Sequence, residues 1–199
     1  GNYGPNILTN ECDLLIAVGM RFDDRVTGDP NTYASQAKII HLDIDPAEIN
    51  KNINVDVPVI GDCKESLKLI TKKIQNKTHG KWISRFDDLM KIEFEKVINS
   101  DLNPVKEGLT MGESIIAINE YTNGDAIIVT DVGQHQMVAC RYANFIQSKS
   151  NITSGGLGTM GFALPAAMGA KMGALEREVV AVIGDGGYQM TIQELGTIF

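Results

Sequence analysis

The sequence predicts an α/β protein, with parallel sheets flanked by helices and arranged as two partial Rossmann-like units. Three observations carry that prediction. Short runs rich in Val, Ile and Leu recur at 14–18, 37–43, 57–62, 126–132 and 179–183. Most are continuously apolar rather than alternating, the pattern of strands buried on both faces of a parallel sheet. Each run ends in Gly or Asp, and the carboxyl ends of such strands are where open α/β sheets bind ligands.

Composition sets the outer bounds. The chain has 199 residues, 43% hydrophobic and 22% charged, which suits one or two soluble globular domains with a sizeable core. A formal charge of −7 argues against a nucleic-acid or anionic-membrane partner, because either needs a basic surface. No apolar run approaches the ~18–20 residues of a membrane span and no signal peptide is visible, so a cytoplasmic protein is expected. Cys12, Cys63 and Cys140 are odd in number and far apart, without CxxC spacing. They read as small core hydrophobes in a reducing compartment. The chain opens at Gly1 without Met and closes in a helix expected from near Thr191, and so reads as a piece of a longer protein.

In the first unit, Leu14-Leu15-Ile16-Ala17-Val18 is a strand ended by Gly19. The loop Arg21-Phe22-Asp23-Asp24-Arg25 follows, with two readings. It could be a solvated loop of mutually neutralising charges, or its arginines could pair with a ligand's phosphates. Asp43 closes the second strand and is placed to accept from a ribose hydroxyl, as acidic residues do in dinucleotide folds. No GxGxxG is present, so the residues alone point only to a nucleotide-like ligand. The third strand ends at Gly61-Asp62, and a helix is expected over 66–74.

Apolar residues at 82, 83, 86, 89, 90, 94, 97 and 98 have helical spacing, and this stripe is read as core packing. A linker with Pro104 is expected over 99–108, with the domain boundary near 100–108. A helix over 111–121 turns Ile115, Ile116 and Ile118 inward.

In the last third, the strand at 126–132 is broken by Gly133. A loop Gln134-His135-Gln136 is expected, then a helix from about Met137. His135 is either a structural hydrogen bonder or a phosphate or catalytic contact. Ser154-Gly155-Gly156-Leu157-Gly158-Thr159-Met160-Gly161 is dense in glycine, which implies positive φ or close backbone approach. A small-residue helix over 162–174 follows. The strand at 179–183 stops at Gly184-Asp185-Gly186-Gly187, and Thr191-Ile192-Gln193-Glu194 has capping-box spacing for a helix start. Strand, glycine turn and helix start make a phosphate site, with Asp185 as a Mg²⁺ ligand. The alternative is an ordinary tight turn with Asp as a cap. Three polar loops, near 133, 158 and 186, then converge at one sheet edge.

These last motifs, Gly133-Gln134-His135-Gln136-Met137, Gly-Leu-Gly-Thr-Met-Gly and Gly184-Asp185-Gly186-Gly187, closely resemble the diphosphate-binding domain of thiamine diphosphate enzymes. Within that group, the stretches 19–28 and 41–50 look like the large catalytic subunit of the acetolactate synthase family. The resemblance implies Mg²⁺ on Asp185 and thiamine diphosphate held by Gln134, His135, Gly158, Met160, Gly186, Gly187 and Met190. It implies FAD, not used for net redox chemistry, at Gly19, Arg21, Asp23, Arg25, Val26, Asp43, Ile44, Gly61 and Asp62. It also implies 2-keto acid substrates: pyruvate is decarboxylated and joined to pyruvate or 2-ketobutyrate on the way to isoleucine, valine and leucine. A homodimer or homotetramer and a possible regulatory small subunit complete the expectation.

On the same resemblance, residues 1–80 are the later part of a central FAD-binding-type domain. Residues 81–107 are a connecting helix and linker, and 108–199 are the first part of the thiamine diphosphate domain. The activating glutamate belongs to an absent N-terminal domain, and the Asn residues that close the magnesium motif fall beyond Phe199. No catalytic residue is therefore expected in this chain, and by itself it is expected to be inactive. The rival readings are another thiamine diphosphate carboligase, of glyoxylate carboligase or FAD-free catabolic type, and a non-catalytic nucleotide-binding module.

Overall fold

The computed structural model describes residues 2–105 and 107–198. Gly1 and Lys106, which carry part of the chain-start and linker readings, and Phe199 lie outside the described residues. The elements in order are α1 (Tyr3–Thr9), β1 (Leu14–Val18), α2 (Asp24–Thr27), β2 (Lys38–Asp43), β3 (Val57–Ile60), α3 (Cys63–Thr71), α4 (Gly80–Glu93), α5 (Asn99–Leu102), α6 (Met111–Thr122), β4 (Ile127–Thr130), α7 (Gln134–Tyr142), β5 (Asn151–Thr153), α8 (Ala163–Gly173), β6 (Val179–Val182), α9 (Asp185–Thr191) and α10 (Leu195–Ile198). Contacts divide the chain into residues 1–93 and 94–199, at the step from α4 into a π-helical turn, Phe94–Ile98.

The first unit holds a parallel sheet ordered β1-β2-β3. Ala17 and Ile39 face one side and pack with Phe22 and Ile53 into a small core. The runs read as fully buried are only partly so. β1 is an edge strand, and its alternate residues Leu14, Ile16 and Val18 remain 42–48% exposed. Helix α4 likewise buries Leu89, with α1 against it, while Ile83 and Met90 stay exposed, and so does Phe94 beyond it. Its apolar stripe is therefore not wholly core.

The second unit holds a parallel sheet ordered β5-β4-β6. The central strand β4 is buried along its whole length. Ile128 packs with Ile115, Ala139 and Tyr142 of α6 and α7. Ile127 and Val129 pack with Ala163 and Ala167 of α8 on the other face. The small residues of α8 are what let a helix approach the sheet this closely. β6 is again an edge and is only half-buried.

Several boundaries differ from expectation for identifiable reasons. Helix continues through Leu102, since Asn-Ser-Asp-Leu contains no breaker; Asn103, before Pro104, then leaves the helical region at φ −134°, ψ 65°. The working capping box is Thr110–Glu113, with both reciprocal bonds made. Thr191 instead ends α9, and its hydroxyl donates to the Gly161 carbonyl at 3.1 Å. Cys63 and Cys140 are exposed on helix surfaces rather than in the core, and Cys12 is half-buried. Among the described residues, no helix is long and apolar enough to cross a membrane.

Candidate functional site

Because each sheet is parallel, the loops that follow its strands leave from one edge. In the second unit these are the β4–α7 turn, the glycine loop after β5 and the β6–α9 turn. Side-chain contacts bring the three together.

The imidazole of His135 lies against both outer turns. A Cβ on Gly133 would stand 2.9 Å from its Cε1, and one on Gly184 would stand 3.0 Å away, so both positions exclude a side chain. Its Nε2 is buried, with no hydrogen-bond partner among the described residues. A buried polar atom left unpaired costs about 1–3 kcal/mol, which a ligand oxygen or water at this edge would relieve. Gln134, expected in a loop with His135 and Gln136, is instead the first residue of α7 and is exposed. Gln136 turns away and donates to Thr153 Oγ1 at 2.7 Å, tying α7 to β5.

Asp185 is likewise a first helical residue rather than a loop residue. α9 starts directly after Gly184, six residues before the expected capping box. The Asp185 carboxylate is exposed and accepts from the Gly186 N–H at 2.9 Å, leaving its second oxygen open. Met160 from the glycine loop reaches Gly186, where an added Cβ would meet its Cε at 3.1 Å. Met190 stands beside Gly161, 3.1 Å from the position a Cβ would occupy there. Gly158 has the left-handed conformation (φ 58°, ψ 46°) with open space around it. The Thr159 N–H donates to Ser154 Oγ at 2.9 Å and closes the turn.

One residue of this site escapes sequence reasoning. Asp131, just past β4, is fully buried. Oδ1 accepts from Val132 N–H at 3.0 Å and Gly161 N–H at 3.1 Å, and Oδ2 accepts from Ala163 N–H at 2.9 Å. A Cβ on Gly187 would fall 2.3 Å from Oδ1, so α9 rests its backbone directly on this carboxylate. The available signal is an acidic residue closing a fully apolar strand just before a glycine turn.

In the first unit, the loops after β1, β2 and β3 carry Gly19, Arg21, Asp23, Arg25, Val26, Asp43, Ile44, Gly61 and Asp62. Arg21 Nε donates to Asp23 Oδ2 at 2.9 Å, an exposed pair of little energetic weight. Asp23 caps α2 through the Arg25 N–H, and Asp62 caps α3 through the Glu65 N–H. Asp43 accepts from Asp45 N–H at 2.9 Å and lies 3.6 Å from His41 Nε2. Gly61 N–H donates to the Asp43 carbonyl, and Gly19 N–H to that of Leu42. Arg25, Val26 and Ile44 project into solvent at the same sheet edge. Among the described residues, no three His, Cys, Asp or Glu cluster as a metal site in either unit.

Family comparison agrees with this arrangement of two units. Residues 1–70 match the thiamine pyrophosphate enzyme central domain, and residues 131–199 match the thiamine pyrophosphate enzyme C-terminal TPP-binding domain. The chain belongs to the thiamine pyrophosphate enzymes. Within that family it is 43% identical to a probable acetolactate synthase large subunit of Methanococcus aeolicus, over 100% of this chain and 35% of that protein. It is 40% identical to the Lactococcus lactis acetolactate synthase large subunit, over 100% of the chain and 34% of the relative. It is 47% identical to the Corynebacterium glutamicum acetolactate synthase large subunit, over 93% and 30%. This thiamine pyrophosphate enzyme chain thus spans about a third of the length of the curated relatives it matches. Its second α/β unit is the one that carries the cofactor-binding domain.

Proposed function

We propose that the chain forms part of an acetolactate synthase large subunit, which decarboxylates pyruvate and joins the remaining two-carbon unit to pyruvate or 2-ketobutyrate. The observation that carries this reading is the meeting of His135, Gly184–Gly187 and the 158–161 loop at one sheet edge, inside the matched binding domain. The acetolactate synthase names of relatives 40–47% identical supply the reaction class.

The residues present suit a diphosphate with its cation. Mg²⁺ takes one or two carboxylates and completes its octahedron with phosphate and water oxygens. An exposed Asp185 carboxylate with one oxygen on the Gly186 N–H fits that need, and among the described residues no three-ligand protein cage forms. The side-chain-free backbone at Gly186, two residues after the Gly184 that lies against the His135 ring, and the unpaired His135 Nε2 suit phosphate oxygens. Gln134 lies one residue before His135, at the first turn of α7. In this reading Gly158, through its carbonyl, and Met160 and Met190 would hold the aminopyrimidine end of the cofactor. When bound, thiamine diphosphate supplies the carbon nucleophile and the electron sink for decarboxylation. The chain's own part is to fix the diphosphate end.

We assign FAD to the carboxyl edge of the first sheet on the same terms. The bare Gly19 turn admits close approach, and Asp43 sits at a strand end, as ribose-binding carboxylates do. Assembly as a homodimer or homotetramer, a regulatory small subunit and a cytoplasmic location belong to the same reading.

The test is acetolactate formation from pyruvate by the intact protein with Mg²⁺ and thiamine diphosphate, with flavin absorbance recorded and glyoxylate as the competing substrate. Activity lost on chelation and in Asp185→Ala supports the proposal. Carboligation of glyoxylate alone, or cofactor uptake indifferent to Mg²⁺ and to Asp185→Ala, overturns it.

A further inference from the structure

We propose that Asp131 is a positioning residue for the cation–diphosphate site, which it serves without touching the cofactor; this rests on the thiamine diphosphate reading above. The Asp131 carboxylate stands at a point where all three loops meet. It follows the central strand and lies four residues before His135. It holds the glycine loop and the start of α8 through the Gly161 and Ala163 N–H groups. It supports α9 at Gly187, two residues after Asp185, where the missing Cβ leaves room for nothing but the carboxylate oxygen. Gly161 is in addition fixed at its other end, its carbonyl accepting from the Thr191 hydroxyl that closes α9. The loop and the metal-bearing helix are therefore clamped at both ends of one glycine.

The chemistry of the group matches this task. An ionised carboxylate is acceptor-only and can take several N–H donors at once, whereas a carboxamide must turn a donor toward one of them. With three backbone N–H donors converging, a neutral isostere leaves at least one facing an NH₂ group. The loop then loses its register against α9, and Asp185 loses its register against His135. Partners that orient a metal ligand without binding the metal typically alter affinity 10–100-fold when removed.

The experiment compares the intact protein with its Asp131→Asn variant. Mg²⁺ and thiamine diphosphate affinities are measured by calorimetry. Amide exchange over 158–163 is followed by mass spectrometry without cofactor. The expected result is a 10–100-fold weaker Mg²⁺ affinity, with faster exchange confined to that loop. Ile115→Val, a mild change in the α6 core, is the control for general destabilisation and should leave Mg²⁺ affinity within twofold. If Asp131→Asn does not fold, Thr191→Val removes the second bond of the clamp at nearly constant volume; an affinity loss of several-fold is then expected. Mg²⁺ affinity within twofold of the parent in the folded variant tested overturns the role. A parent protein that takes up no cofactor overturns the functional reading and this role with it, whereas binding equal in parent and variant overturns this role alone.

Discussion

Replacing Gly187 by Ala tests the closest packing in the second unit. The new Cβ would lie 2.3 Å from Asp131 Oδ1, 2.8 Å from Cγ and 3.3 Å from Oδ2, where ordinary contacts begin near 3.4 Å. About 1 Å must be found, and neither side yields easily. Asp131 is fully buried and bonded to three backbone N–H groups, and Gly187 is itself buried within α9. Overpacking of this kind costs about 1–3 kcal/mol. Displacing the carboxylate from one charge-assisted bond adds about 1.5–3 kcal/mol. Against this, Ala is favoured over Gly in a helix by up to about 1 kcal/mol. The net expectation is a loss of about 2–4 kcal/mol in the second unit. Gly186→Ala is the internal comparison. Its Cβ meets only the mobile tip of Met160 at 3.1 Å, so propensity and contact should cancel to within about 0.5 kcal/mol. Urea unfolding read by amide exchange of 158–163 and 185–191 resolves this unit from the other. Two alanine variants of equal stability would refute the claim that α9 rests on Asp131.

Three further expectations follow from individual contacts. Burial, together with the Asp101 carboxylate that accepts its hydroxyl at 2.6 Å, pushes Tyr142 up to about 12. The folded state thus favours the protonated phenol; that stability is complete below the ordinary value of 10 and is lost as pH rises toward about 12. The unfolding free energy from urea denaturation should fall across that window, by about 2–3 kcal/mol in all, and Tyr142→Phe should flatten the decline. Asp56 is held below the ordinary carboxylate value by the Lys38 ammonium and the Ile39 N–H. Its contribution is present above pH 3.8 and disappears as pH falls through the lowered value, so Asp56→Asn should blunt acid unfolding of the first unit in a pH titration read by circular dichroism. Thr110→Ala removes the cap of α6 and should cost about 0.5–2 kcal/mol by chemical denaturation, with Thr110→Ser restoring most of it.

The strands were the readily legible part of the fold, because a parallel strand advertises itself as an apolar run of the right length. β1 runs over the residues expected, and β2, β3, β4 and β6 lie within their expected runs. Burial was not legible to the same degree, since a run that suits a central strand reads the same at an edge. β5 escaped because Asn151-Ile152-Thr153 offers a single strongly apolar residue, and pairing with β4 supplies the rest. α1 was not anticipated; Gly and Pro are poor helix formers, yet Pro5 lies in the first turn, where it forfeits no intrahelical bond. The helical stripe from Trp82 to Ile98 was visible from its period, but the period did not show how little of the stripe is covered.

That polar and glycine-rich loops meet at the edge of the second sheet is legible in the sequence, and their local geometry is misread, for a single physical reason. Local propensity assigns Gly184-Asp185-Gly186-Gly187 to a turn and delays the helix to Thr191. The structure starts α9 at Asp185 because those glycines serve close approach rather than positive φ. None of Gly184, Gly186 and Gly187 has a left-handed backbone. Gly184 makes room for the His135 ring, Gly186 for Met160 and Gly187 for Asp131. Each glycine therefore records a neighbour that is distant in sequence, and such a record becomes readable only when the strands are in register. Where glycines cluster at the end of a buried strand, the useful question is which side chain each missing Cβ admits; in this chain the answer for Gly187 is the buried carboxylate that composition and motif had left unassigned.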